Sequence, residues 1–334
     1  MRAVVRQHRG GYDALALEER PSPSCGPGQV RIAVGAAGVN FADTMARVGL
    51  YPDAPPTPCV LGYEVAGRVT EVGPGVDAPA VGDRVVAGTR FGGYAEEVVA
   101  GAADTVALPD GLSDEQGAAV PVNYATAYAA LFESAGLRPR ERVLIHAAAG
   151  GVGIAATQLA ASRDAEIWGT ASPGKHDAIR GFGVQHPLDY TRQGWDRGLP
   201  PLDVVLDALG GASLRRSYRL LRTGGRLVAF GAASVMSGER RSLRHALPAR
   251  LAMARGFDLV GQMSDSKTVA GLNLLHLWDD RGTLEPWIAP LRELLDSGVV
   301  RPVVAAAIPF SRAGEAHRLI AERRNVGKVV LVPD

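Results

Sequence analysis

The rhythm of hydrophobic and polar positions changes near residue 121. Before it, short runs rich in β-branched residues alternate with glycine and proline turns. Met1–Arg6, Gln29–Gly35, Val65–Val72 and Arg84–Ala87 read as strands. The intervening Pro21–Gly28, Pro52–Pro58 and Val72–Gly75 carry turn chemistry. Val81–Val85 and Gly92–Glu96 read as further turn-to-strand units. Many short strands divided this way predict a compact, barrel-like β domain.

After residue 121 helical and strand patterns alternate. Ser113–Pro121, Thr126–Ala135, Gly151–Arg163, Lys175–Phe182 and Ser213–Leu221 carry helical patterns. Arg142–Ala147, Glu166–Thr170, Asp203–Ala208, Arg226–Gly231 and Phe257–Gly261 read as strands. Such alternation predicts an α/β fold with a doubly wound parallel sheet. The tail adds a helix over Thr283–Ser297, a strand over Val303–Ile308, a helix over Ser311–Arg323 and a strand over Lys328–Val332. We expect it to rejoin the first domain. The predicted organisation is a β-rich catalytic domain from residues 1–121 and 263–334, with a Rossmann domain, 122–262, inserted between. Nicotinamide and substrate are expected in the cleft between the two. No internal repeat or low-complexity segment interrupts the pattern.

The most telling stretch runs from Val143 to Gly153. An apolar strand, a small-residue turn and a helix start follow in order. Ala148-x-Gly150-x-x-Gly153 is a G-x-G-x-x-G fingerprint with its first glycine replaced by alanine. Small residues are needed there because a pyrophosphate must reach backbone N–H groups at the helix N-terminus. A second strand, Ala165–Thr170, follows, which is the context such a fingerprint requires.

Composition changes little in this picture. The chain has 334 residues, 46 % apolar and 21 % charged, with a net charge of +1. That is ordinary globular composition, without the basic excess of a nucleic-acid binder. Arg240, Arg241, Arg244, Arg250 and Arg255 cluster among apolar residues and read as a solvated helix face or a phosphate contact. Two cysteines, Cys25 and Cys59, build no disulfide framework. The charged N-terminus does not read as a signal peptide, and no run of about 20 apolar residues suggests a membrane span. A cytoplasmic protein is expected.

The nucleotide can be narrowed. NAD-specific Rossmann folds place an acid at the end of the second strand to grip the ribose hydroxyls. Here that strand ends Trp168-Gly-Thr-Ala-Ser172, without an acid, and Glu166 lies inside it. Ser172, Lys175, Tyr190 and Arg192 follow. A hydroxyl and an ammonium accept a 2′-phosphate that a carboxylate would repel, so NADPH is the expected cofactor.

Metal chemistry is not expected. Zinc alcohol dehydrogenases carry a Gly-His-Glu ligand turn where this chain has Gly62-Tyr63-Glu64, and a cysteine ligand where it has Asn40. His8, His146, His176, His186, His245, His276 and His317 are scattered without ligand spacing and read as surface or core histidines. Hydride donation to an already electron-poor, conjugated acceptor needs less help than alcohol oxidation.

At these residues the chain resembles the zinc-independent branch of the medium-chain dehydrogenase/reductases, of the quinone oxidoreductase (zeta-crystallin) type. The motifs are Gly38–Asp43, Val60–Gly67, Gly82–Val85, Ala147–Gly153, Asp207–Gly211 and Asn325–Val329. Gly169–His176, His186–Tyr190 and the insertion Ser237–Ser242 are similar to the vesicle amine transport protein homologues within that branch. The resemblance covers essentially the whole length. It implies a GroES-like catalytic domain beside the Rossmann domain, and a homodimer, for which the edge around Phe257–Gly261 is a candidate.

The resemblance also implies roles. Asn40 and Asp43 would border nicotinamide and substrate, and Tyr51 would reach over the substrate pocket. Thr126 would touch the nicotinamide ribose or amide. Gly150, Gly151, Val152 and Gly153 would meet the pyrophosphate. Ser172, Lys175 and Tyr190 would hold the 2′-phosphate. Ala208 and Leu209 would pass the adenosine, and Phe230, Gly231 and Ala232 would flank the nicotinamide. Asn325 and Lys328 would close over the cofactor. Plainer readings stand beside these: Asn40 and Asp43 as helix caps, Tyr51 as loop packing, Thr126 as a helical residue, Asn325 as a turn residue. Asp207, in an apolar strand, reads as structural or cofactor-orienting. Asn123 and Tyr124 depart from the family pattern and read as added polar contacts to the cleft.

The expected activity is NADPH-dependent reduction of a quinone or α,β-unsaturated carbonyl, with water or a tyrosine, Tyr51 or Tyr63, giving the proton. The alternatives are an enoyl-thioester reductase of polyketide or fatty-acid type, an NADPH-binding protein without turnover, and a zinc-free alcohol dehydrogenase.

Overall fold

The structure is a computed structural model that describes residues 1–236, 239, 247–248, 251 and 257–334. The arginines Arg240, Arg241, Arg244, Arg250 and Arg255 lie outside the described residues, as does the insertion Ser237–Ser242 apart from Glu239. The chain forms two compact units. One comprises residues 1–125, 238–241 and 275–334, the other 126–237 and 242–274.

In the first unit the predicted strands pair across long sequence distances. A path of strands runs Val304–Pro309, Lys328–Val332, Gln29–Val39, Glu64–Val72, Arg84–Gly88 and Thr105–Ala107, and Glu97–Gly101 also pairs with Gln29–Val39. A smaller sheet joins Leu15–Glu19, Arg2–Arg6 and Cys59–Val60. Ile32, Val65, Val85, Leu61, Tyr94, Phe310 and Leu331 fill the core between them. The strand expected to end at Gly35 continues to Val39. Gly38 makes this possible, since a Cβ there would lie 2.5 Å from Glu64 Oε1 and 2.6 Å from the Ala118 carbonyl oxygen. The strand leads into the helix Phe41–Val48, which ends at Gly49 in the left-handed region (φ 78°).

The helical region after residue 113 divides differently from its pattern. Ser113 and Gln116 form a capping box on the short helix Asp114–Gly117. A second helix begins at Pro121, where a missing N–H costs nothing, and runs to Tyr128 before a π-helical turn over Ala129–Ser134.

The second unit holds the parallel sheet. Its six strands run, edge to edge, His186–Asp189, Glu166–Ala171, Arg142–Ile145, Leu202–Asp207, Leu221–Ala229 and Thr268–Gly271. All neighbours pair in parallel. Every residue of the strand Leu202–Asp207 is buried, as a strand covered on both faces requires. One expectation fails here. Phe257–Gly261 is not a strand: the Asp258 carboxylate accepts from the backbone N–H groups of Val260 and Gly261 at 3.2 and 2.9 Å and starts the helix Leu259–Asp265. An N-cap outweighs a short apolar run. The edge strand is Thr268–Gly271 instead.

Candidate functional site

In the second unit the predicted nucleotide residues gather at the carboxyl-terminal ends of the strands, which a parallel sheet brings to one side. Arg142–Ile145 leads into the fingerprint turn, and Gly150 is the N-cap of the helix Gly151–Ala161. Val152 and Gly153 lie in the first turn of that helix. The left-handed residue of the turn is Ala147 (φ 54°), one position before the alanine that replaces the first glycine. Gly153 is dictated by contact: a Cβ there would lie 2.3 Å from the Ala147 carbonyl oxygen. Ser172 follows Glu166–Ala171, and Ala208 and Leu209 follow Leu202–Asp207. Phe230, Gly231 and Ala232 follow Leu221–Ala229. Backbone hydrogen bonds join these loops: Phe230 N–H to the Asp207 oxygen at 3.1 Å, Ala233 to Ala208 at 3.2 Å and Ser234 to Leu209 at 2.8 Å. Thr126 is buried in the helix Pro121–Tyr128.

Ser172 caps the short turn Pro173–Lys175, where burial lowers the Lys175 ammonium below the usual lysine range. Tyr190, 39 % exposed, follows the edge strand His186–Asp189. Their neighbours Pro173, His176, Leu188, Asp189 and Arg192 line a depression of about 510 Å³. The one acid there, Asp189, faces Arg192 at 3.4 Å and accepts from the Thr191 hydroxyl at 2.6 Å.

In the first unit Asn40 and Lys328 come together on Glu64, which the sequence placed in the Gly62–Glu64 turn without a role as their partner, and Asp43 joins through Asn40 and Gly62. The Lys328 ammonium is buried and donates to Glu64 Oε1, to Asn40 Oδ1 at 2.7 Å and to Asn123 Oδ1 at 3.4 Å. Asn40 Nδ2 donates to Glu64 Oε1 at 2.9 Å, and Val122 N–H donates to Oε2 at 2.6 Å. Asn40 also starts the helix Phe41–Val48, its N–H donating to Asp43 Oδ2 at 2.8 Å. Asp43 Oδ1 accepts from Gly62 N–H at 3.0 Å. Burial pushes the Asp43 carboxyl up to about 6, against the pull of these donors.

Asn123 and Tyr124 are buried inside this unit, Asn123 also donating to the Ala119 carbonyl at 3.0 Å. Asn40 and Lys328 are hydrogen-bonded to each other within this group. Asn325 behaves as a turn residue, its Nδ2 donating to the Gly327 carbonyl at 2.8 Å. Tyr51 stands edge-on to Tyr63 with ring centroids 6.3 Å apart, and Tyr63 packs on Phe91 at 4.8 Å. Burial holds the Tyr63 phenol neutral.

The zinc of the related alcohol dehydrogenases does not fit these residues. An ammonium occupies the centre of the group, and Glu64 is committed to it. Among the described residues no group of three or more His, Cys, Asp or Glu could hold a metal ion. No described helix is long and apolar enough to cross a membrane.

Residues 26–110 match the family described as alcohol dehydrogenase GroES-like domain, and residues 182–331 that described as zinc-binding dehydrogenase. The chain is 38 % identical over 347 residues to the synaptic vesicle membrane protein VAT-1 homolog of Rattus norvegicus, covering 100 % of this chain and 84 % of that protein. The solved quinone oxidoreductase of Escherichia coli complexed with NADPH superposes with a TM-score of 0.84 at 28 % identity, covering 100 % of both chains. The CurK enoyl reductase superposes with a TM-score of 0.85 at 26 % identity, covering 100 % of this chain and 99 % of the other. With a GroES-like unit, a parallel six-stranded Rossmann-like sheet and this likeness along its whole length, the chain belongs to the medium-chain dehydrogenase/reductase family, on its quinone oxidoreductase-like branch.

Proposed function

We propose that the chain is an NADPH-dependent, zinc-independent reductase that delivers hydride to a quinone or an α,β-unsaturated carbonyl. The observation that carries this reading is the Lys328–Glu64–Asn40 group. Asn40 and Tyr63 stand at the sequence positions where zinc alcohol dehydrogenases carry ligands, and Glu64 beside them is committed to the Lys328 ammonium, so these residues suit no zinc. A conjugated acceptor is the substrate least dependent on a Lewis acid.

Bound NADPH supplies the hydride from its nicotinamide ring. The chain's own residues bind and orient. The N-terminus of the helix Gly151–Ala161, with Gly150, Val152 and Gly153, receives the pyrophosphate. Ser172, Lys175 and Tyr190 receive the 2′-phosphate, as a hydroxyl, a cation and a phenol can. Thr126 meets the nicotinamide ribose or amide, Ala208 and Leu209 pass the adenosine, and Phe230, Gly231 and Ala232 flank the nicotinamide. Asn40, Asp43 and Lys328 fix the wall behind the reacting centre, and Asn325 the turn before Lys328. Tyr51 and Tyr63 offer aromatic faces, and the neutral Tyr63 phenol holds a proton to give. The reading includes a homodimer and a cytoplasmic location.

The test is NADPH and NADH oxidation, followed by absorbance, against quinones, enones and enoyl thioesters. Turnover with NADPH and quinones or enones is expected. Turnover with thioesters alone makes the chain an enoyl reductase, a reading favoured by the fold likeness to the CurK enzyme. Tight NADPH binding without turnover makes it a binding protein.

A further inference from the structure

The imidazole of His146 is 1 % exposed and hydrogen-bonded on both nitrogens. Nδ1 lies 3.2 Å from Thr170 Oγ1, and Nε2 lies 3.0 Å from Ser217 Oγ. Ser217 Oγ donates to Asp207 Oδ2 at 2.8 Å. Asp207 Oδ1 accepts from the backbone N–H groups of Leu209 and Gly210 at 2.8 and 3.0 Å. At the other end Thr170 Oγ1 accepts from Ala147 N–H at 3.1 Å. One buried row of side chains thus joins the ends of three adjacent strands, from the fingerprint turn to the Leu209–Gly210 turn.

Every hydrogen in the row can be assigned. The Asp207 carboxylate is an acceptor, so the Ser217 hydroxyl hydrogen points to it. Ser217 Oγ must then accept from His146 Nε2, which places the imidazole hydrogen there. Nδ1 of a neutral ring is an acceptor, so the Thr170 hydroxyl donates to it and is left to accept from Ala147. Burial favours the same neutral form, lowering the His146 pKa. The groups facing the ring are Asp207, with Oδ2 3.9 Å from Nε2, Arg216, whose charge opposes protonation, and Trp195, edge-on at 5.7 Å between ring centroids.

Serine, histidine and aspartate together invite a hydrolytic reading, which the order refutes. A nucleophilic triad sets the histidine between serine and carboxylate. Here the serine stands between them, its hydrogen given to the carboxylate, and Ser217 has no exposed surface. The row holds and does not react.

We propose that His146 is a positioning residue for the dinucleotide: as a neutral imidazole protonated on Nε2, it ties the fingerprint turn to the Leu209–Gly210 turn and sets their spacing. This rests on the reading of these strand ends as the nucleotide site. Backbone N–H groups bind phosphate only when held at hydrogen-bond distance, so a slack loop loses affinity without losing its residues.

The experiment has two arms on the full chain. Long-range proton–nitrogen spectra of histidine-labelled protein, with His146 assigned by signal loss in H146Q, should show the Nε2–H form, unchanged from about pH 5.5 to about pH 8. An Nδ1–H pattern, or titration near the ordinary histidine value, overturns the proposal. In the second arm NADPH is titrated by fluorescence. Thr170→Val and Ser217→Ala, which cut the row at opposite ends, should each weaken binding about tenfold, and Thr170→Ser, which keeps the hydroxyl, should bind within about twofold of the parent. Parent-like affinity of folded Thr170→Val or Ser217→Ala overturns it. A parent chain that binds neither NADPH nor NADH overturns the nucleotide reading and the positioning role with it. The spectra judge the hydrogen-bonded row separately.

Discussion

Lys328 and Glu64 form an ion pair with almost no contact with solvent, at 3 % and 0 % side-chain exposure, across 264 residues of sequence. Their partners fill the remaining hydrogen-bonding positions: Asn40 bridges both, Asn123 accepts from the ammonium, and Val122 N–H caps the carboxylate. A buried charge left alone is far more costly than a buried pair. Lys328→Met is therefore expected to lower unfolding free energy by about 3–5 kcal/mol, and Glu64→Gln added to it to restore part of that loss. Denaturant unfolding of the single and double variants checks this. A double variant no better than Lys328→Met would show the two charges to be uncoupled.

Asp43 gives a pH signature. Its carboxyl is raised from an ordinary value of 3.8 to about 6 by burial, so the folded chain holds this proton more tightly than the unfolded one. The stabilisation from that proton is complete below the unfolded value and is lost as pH rises through about 6. Asp43→Asn removes the titration. It also costs an acceptor, since an amide cannot receive both Asn40 and Gly62 N–H groups. The parent should lose about 1–2 kcal/mol relative to the variant between about pH 5 and about pH 8. Urea unfolding across that range reads the difference, and a flat difference would mean that Asp43 does not titrate there.

These two groups also show where the sequence is legible. The fingerprint could be read because its glycines answer local demands: Gly153 sits against the Ala147 carbonyl only six residues away. The strands Arg142–Ile145 and Leu202–Asp207 could be read because their apolar residues are buried in continuous runs, whereas His186–Asp189, half-exposed at the edge, carries no such run. Glu64 was legible only as part of the Gly62–Glu64 turn, because nothing near it in the chain announces its partner, and Lys328 looked available because a lone lysine in a tail strand usually is. The Phe257–Gly261 run misled because periodicity cannot separate a short strand from a helix start, and Asp258 decided it. His146 carried no ligand spacing, and its role emerges only from three strands meeting.

Gly153 allows a sharp local test. A methyl group at this position would press on the Ala147 oxygen and on the Ala148 backbone, with Cα at 2.7 Å. Backbone cannot rotate away as a side chain can. Gly153→Ala should cost about 1–3 kcal/mol of stability. It should also weaken nucleotide binding in the fraction that folds, because the helix N-terminus must move. Gly111→Ala, whose Cβ would meet nothing within 4 Å and which lies outside the proposed nucleotide site, is the control and should change neither. Thermal unfolding and NADPH titration of both variants decide it.

Cofactor preference turns on Lys175 and Ser172. No acid stands at the end of Glu166–Ala171, and the half-buried Lys175 ammonium is less well solvated than a surface lysine, so an anion nearby gains more from it. Lys175→Ala should weaken NADPH by roughly 10–100-fold, the worth of a charge-assisted phosphate contact, and leave NADH within a few-fold. Ser172→Asp should act the same way on NADPH while improving NADH, because a carboxylate there can grip both ribose hydroxyls and repels a phosphate. Kd values for both nucleotides with each variant give the answer. Equal losses for NADPH and NADH would place Lys175 away from the 2′ position and leave the absent acid as the only sign of NADPH preference.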